Sequence, residues 1–192
     1  MPRAAQEFLS VLPVPALRDN EIWLIRRAQA AAVVDPGDAA PVFDALAGLG
    51  VTLGAILLTH HHPDHVGGVP ELVAAHPDGL RVHGPAAVAI TGVTDRLADG
   101  ASFVLDALDL SFSVIGIPGH TRGHIAFHSV NHGLLFCGDT LFACGSGRLL
   151  KVRQRRCEHR WHGLRPFPRH ARFTADTSTR WPICASPSRL SH

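Results

Sequence analysis

The chain has no tyrosine, no lysine in its first 150 residues and only four cysteines in 192. It also lacks any apolar run approaching the ~18 to 20 residues that a membrane helix needs, so no membrane partner is expected. Cys137, Cys144, Cys157 and Cys184 lie in the last third without the density or spacing of a disulfide framework, which points to a reducing compartment. Glu7, Pro13 and Pro15 interrupt the first twenty residues, so no basic start leads into a long apolar stretch and no export signal is read. The cytoplasm is the expected location.

The hydrophobic share of 46% with 18% charged residues describes a globular chain. A length of 192 residues suits one domain with a substantial core. The net charge of +2 sums two unlike segments: residues 1–150 hold 8 arginines against 14 acids, a net of −6, whereas residues 151–192 hold 10 basic residues against 2 acids, a net of +8. A basic segment invites a nucleic-acid reading, but this one carries neither a folded motif nor an aromatic stacking pattern. No nucleic-acid partner is expected.

Short apolar runs alternating with helix-like stretches predict an α/β protein. Strands are predicted at Glu21–Ile25, Ala31–Val34, Gly54–Leu58 and Arg81–His83, and helices at Pro41–Leu49 and Val66–Ala75. Ala101–Leu110 and Leu110–Ile117 read as a strand pair, and Ile125–Ser129 with Gly133–Cys137 as a hairpin. Asp35, Pro36 and Gly37 read as the turn after the second strand. Three polar clusters, Thr59–His65, Pro118–His124 and Gly138–Thr140, each follow an apolar strand, where loops on a rigid scaffold carry chemistry. After Leu150 the periodicity disappears.

The cluster Thr59-His60-His61-His62-Pro63-Asp64-His65 packs imidazoles and a carboxylate into a few loop residues. Borderline divalent cations such as zinc favour these donors, and a merely solvated loop gives no reason to concentrate them. His61 alternates away from the ligand set, and His124 is expected to fix its loop rather than bind metal. His76, His83, His128 and His132 lack partner spacing. Cys137 and Cys144 have no setting for a nucleophile.

The order HxHxDH, then Gly119-His120-Thr121-Arg122-Gly123-His124, then Gly138-Asp139-Thr140 resembles the metallo-β-lactamase superfamily. That resemblance implies an αββα sandwich and a pair of divalent metal ions, zinc or else iron or manganese. It implies that His60, His62 and His120 hold one ion, Asp64 and His65 hold the second, and Asp139 bridges them, with Asp64 and Asp139 as the catalytic carboxylates. LPVPALRDNEIWLI, VVDPGD, THHHPDHVGG and GDTLFACGSGRLL narrow the resemblance to hydroxyacylglutathione hydrolases (glyoxalase II). This implies hydrolysis of S-D-lactoylglutathione, a monomer whose partner is that small glutathione thioester, and Arg148 as the residue that meets glutathione. A lactonase or a persulfide dioxygenase of the same superfamily is the rival reading.

The sequence then departs from the resemblance. The family continues past this arginine with an EG pair, a further ligand in a GHEYT-like segment and a helical domain, none of which stands in residues 151–192. A one-base shift in permitted codons over Leu150, Lys151 and Val152 reads Phe, Glu, Gly, and the same shift at Asp176 to Arg180 reads His, Glu, Tyr, Thr. The expected organisation is therefore a metal-binding domain over 1–150, incomplete relative to the family. A basic, out-of-frame tail over 151–192 follows it, and activity is impaired.

Overall fold

The computed structural model describes residues 8–140 and a three-residue strand at 172–174. Two sheets form the body. The first runs β1(Ser10–Ala16), β2(Asn20–Arg27), β3(Ala30–Val34), β4(Thr52–Leu57), β5(Arg81–Pro85) and β6(Asp95–Leu97) in spatial order. The second has the order β11(Arg172–Thr174), β10(Leu134–Phe136), β9(Ile125–Ser129), β8(Leu110–Gly116) and β7(Ser102–Leu105). β1 to β3 are antiparallel and β3 to β6 parallel, whereas β7 to β10 are antiparallel and β11 pairs parallel to β10.

Burial follows the side-chain alternation of strands. In β8, Leu110, Phe112 and Val114 are buried while Ser111 and Ser113 are exposed. Phe112, Phe127 and Phe136 meet Ile25, Val34 and Leu57 between the sheets. On the other face of the first sheet, Leu24, Val33, Ile56 and Leu58 pack with Val42 and Leu46 of α1(Ala40–Leu49) and with Val69 and Leu72 of α3(Val69–Ala74). A smaller apolar group, Ile117, Ala126, Leu135 and Cys137, completes the packing. The described residues thus give a helix layer on two stacked sheets, as the α/β expectation requires. No helix among them is long and apolar enough to cross a membrane.

Several predicted elements differ in detail. The helix expected over Val66–Ala75 begins only at Val69, as α3, and a separate short helix, α2(Pro63–Val66), precedes it; Gly67 and Gly68 separate the two, and their main chains lie against the Pro36–Ala39 turn. Asp64 and His65 therefore sit on a helical turn rather than on open loop, because Pro63 stands at its start, where proline's fixed φ and missing N–H are favourable. β1 was hidden by Pro13 and Pro15, which an edge strand tolerates. β6 was too short and too charged to show a pattern, and β11 falls within the segment that reads as aperiodic.

Candidate metal centre

The parallel pairing of β3 and β4 brings their ends together, and the backbone N–H of Asp35 donates to the Leu57 carbonyl at 2.9 Å. Asp35, just past β3, thus faces Thr59 and His60, just past β4. His62 is extended (φ −68°, ψ 144°), and the α2 turn that follows swings Asp64 and His65 back toward the same point. The second sheet contributes His120 from the loop after β8 and Asp139 from the turn after β10.

His60, His62, His120 and Asp139 each offer a ligand atom within 4.8 Å of the others. His120 Nε2 lies 2.9 Å from His62 Nδ1. Asp139 spans the cluster, with Oδ2 at 3.2 Å from His120 Nε2 and Oδ1 at 3.1 Å from His65 Nε2. Asp64 Oδ2 approaches His65 Nε2 at 3.6 Å. All six sequence-predicted ligand positions therefore converge. Asp35, His60 and His65 form a second such group, and Asp64, His61 and His124 belong to neither group among the described residues. His124 is buried and stacks on His60, with ring centroids 4.5 Å apart at 21°, and its carbonyl accepts a hydrogen bond from Ile117. His83 stacks on Phe103 away from the cluster. Arg148, Cys144, Cys157, Cys184 and the boundary expected at residue 150 lie outside the described residues.

Sequence reasoning treated Asp35 as a turn residue and gave Asn20 and Thr59 no role of their own. Asn20 Nδ2 donates to the Asp64 carbonyl at 3.1 Å and to Asp64 Oδ2 at 3.2 Å. Asp35 accepts from both the N–H and the hydroxyl of Thr59. Gly37 passes so close to Asp64 that an added Cβ would stand 1.9 Å from its carbonyl oxygen. The available signal was an acid directly after a buried strand and before Pro-Gly, facing a second strand that ends in Thr-His.

The donor set fits divalent cations on several grounds. His60 Nε2 is buried with no hydrogen-bond partner, an arrangement that proteins avoid unless something else satisfies the atom. Burial, and then the neighbouring His65, His124, His62 and His120, push the His60 pKa far below the imidazole range. The ring is thus neutral, as ligation requires. Burial likewise lowers His62 and takes His124 to about 3. His65 goes the other way. Burial opposes its charge, but contacts to Asp139 and Asp35 outweigh that and raise its pKa to about 11. Burial would raise Asp139, yet the His65 hydrogen bond and the surrounding imidazoles hold it below the carboxylate range. Carboxylates gathered around His65 call for positive charge, which a proton or a metal can supply.

The sequence profile of the metallo-beta-lactamase superfamily matches residues 17–181, and the chain belongs to that superfamily. It is 48% identical over 143 residues to a hydroxyacylglutathione hydrolase of Nitrosomonas eutropha, covering 74% of this chain and 54% of that one. To the hydroxyacylglutathione hydrolase of Cupriavidus taiwanensis it is 51% identical over 151 residues, covering 74% and 57%. The chain spans about half the length of the curated relatives it matches. Among solved structures, a di-iron-bound form of TTHA1623 aligns with TM-score 0.69 at 28% identity over 86% of this chain and 91% of that one. The BLEG-1 B3 metallo-beta-lactamase aligns with TM-score 0.72 at 24% identity over 86% and 90%, a likeness of fold. Fold, family and clustered donors together suit a dinuclear metal site.

Proposed function

We propose that this chain is the metal-holding part of a hydrolase that cleaves S-D-lactoylglutathione to glutathione and D-lactate. The observation that carries the reading is the convergence of His60, His62, His120 and Asp139 around a buried and unpartnered His60 Nε2. The name shared by relatives about half identical in sequence supports the thioester as substrate.

In this reading His60, His62 and His120 would hold one cation and Asp64 and His65 the other, with Asp139, whose two oxygens lie near His65 and His120, shared between them. Zinc suits the donors, and iron or manganese would be tolerated. When bound, such a pair supplies an activated water and polarises the scissile carbonyl. Asp64 and Asp139 are the carboxylates that would accept hydrogen bonds from a water held there. Neutral rings at His60 and His62 each leave one unprotonated nitrogen with which a cation could be held. Arg148 meets a glutathione carboxylate, for which a guanidinium is well shaped. The enzyme acts as a cytoplasmic monomer.

Asp64, His65 and Asp139 are expected to lack the last ligand that the family carries in its GHEYT-like segment, so the first cation binds more tightly than the second and turnover by this chain is weak. Residues 151–192 are proposed to be read out of frame. Metal counting by plasma mass spectrometry, with thioester and acyl-lactone assays on this chain and on a frame-restored one, tests these points. Two full equivalents and robust turnover by the chain as written would refute the impairment. Lactone cleavage without thioester cleavage by the restored chain would refute the substrate.

A further inference from the structure

The buried polar residues behind the cluster contain an arrangement that the proposed reaction does not use directly. Asp35 and Thr59 are both buried, at 7% and 0% exposure. Asp35 Oδ1 accepts the Thr59 N–H at 2.7 Å, and Oδ2 accepts the Thr59 hydroxyl at 2.6 Å. A hydroxyl has one proton, and a carboxylate can only accept. With that proton committed to Asp35, Thr59 Oγ1 has only lone pairs to offer His60 Nδ1, which lies 3.1 Å away. The hydrogen must therefore be on His60 Nδ1, leaving Nε2 bare. That atom is the buried one without a partner, directed into the cluster. The opposite tautomer would set two lone pairs against each other at Nδ1 and aim a proton where a cation belongs. Asp35 Oδ2 also lies 3.2 Å from His65 Nδ1, which leaves His65 Nε2 facing Asp139 and Asp64.

We propose that Asp35 and Thr59 are positioning residues forming a one-directional hydrogen-bond relay, through which one buried carboxylate fixes the ligand face of His60. Partners of this kind hold a ligating ring in one tautomer and orientation, and losing one typically costs about 10- to 100-fold in metal affinity. The inference rests on the reading above only in taking the bound group to be a divalent cation. The backbone supports the assignment. Asp35 is held at φ 52°, a left-handed conformation uncommon for a non-glycine residue and often found where a site over-determines its geometry.

Long-range nitrogen NMR of the imidazoles in the metal-free chain reads the tautomer, and competition against a chromophoric chelator reads zinc affinity. The chain itself is expected to show His60 protonated at Nδ1. Thr59→Val, which keeps the shape and removes the hydroxyl, is expected to lose the single tautomer and about 10- to 100-fold in zinc affinity, and Thr59→Ser to restore both. Asp35→Asn is the sharper variant, because its amide can donate to Thr59 Oγ1, free the hydroxyl to donate to His60 Nδ1 and so reverse the relay. It is expected to move the His60 proton to Nε2 with a larger loss of zinc than Thr59→Val. If Thr59→Val does not fold, Thr59→Ser and Asp35→Asn carry the test. His60 protonated at Nε2 in the unaltered chain, or unchanged in Asp35→Asn, overturns the proposal. Nδ1–H in a chain that takes up no zinc would leave the relay standing and remove the metal reading instead.

Discussion

The two halves of the cluster are built differently. His60 is completely buried, its Nδ1 is engaged by Thr59, and its ring is stacked on His124. His62 and His120 stand 2.9 Å apart on loops from different sheets. The other half rests on α2, a helix of four residues. There the Asp64 side chain is 46% exposed and is restrained through Asn20. His60 draws its geometry from the core, whereas Asp64 draws its own from a hydrogen bond at the rim. Affinity and rigidity are therefore expected to divide along the same line.

The strongest way to erase that division is to remove what both halves share. Asp139→Ala takes an oxygen from each, and zinc retention at both positions is expected to fall by more than the ~100-fold upper range for outer partners, read by chelator competition. Gly37→Ala drives a methyl into the Asp64 carbonyl. It is expected to destabilise the chain by about 1 to 3 kcal/mol, the usual cost of overpacking, in a denaturant titration, and to weaken the second cation more than the first. Asn20→Ala sharpens the contrast. About a 10-fold loss is expected at the second position with the first unchanged, and equal losses in a stepwise titration would contradict the division.

The smallest effect concerns pH in the metal-free chain. Imidazoles whose folded pKa is depressed, His60 and His124, take up protons in the unfolded chain first, so stability falls as pH drops below about 6.5. His65, raised to about 11, contributes stability that is complete below its unfolded value of about 6.5 and is lost as pH rises toward 11. The thermal midpoint of the stripped protein is therefore expected to peak near neutrality. Metal loading should flatten the alkaline side, because the cation takes over the role of the His65 proton.

Much of this was legible in the sequence because ligand chemistry is local. His60, His62, Asp64 and His65 announce themselves by type and spacing, and His120 and Asp139 follow strands whose alternation is plain. The residues that hold them were not legible. Asp35 reads as one more turn acid, because its meaning depends on β3 and β4 lying side by side, a long-range pairing that no short window contains. Asn20 acts on Asp64 across 44 positions of sequence. The missed strands have a different cause. β1 is interrupted by prolines that only an edge position excuses, and β6 and β11, three residues each, are too short for a period to show.

Where the Pro36–Ala39 turn meets α2, the contact is main chain on main chain. Added Cβ atoms on Gly67 and Gly68 would stand 2.5 Å from the Gly37 carbonyl oxygen and 2.6 Å from the Ala39 nitrogen, respectively. A mounting of this kind tolerates exchange of the surrounding side chains, because none of them sets the spacing. Side chains around the cluster can therefore be exchanged while its geometry is kept, and Gly37, Gly67 and Gly68 are the positions at which such exchange has to stop.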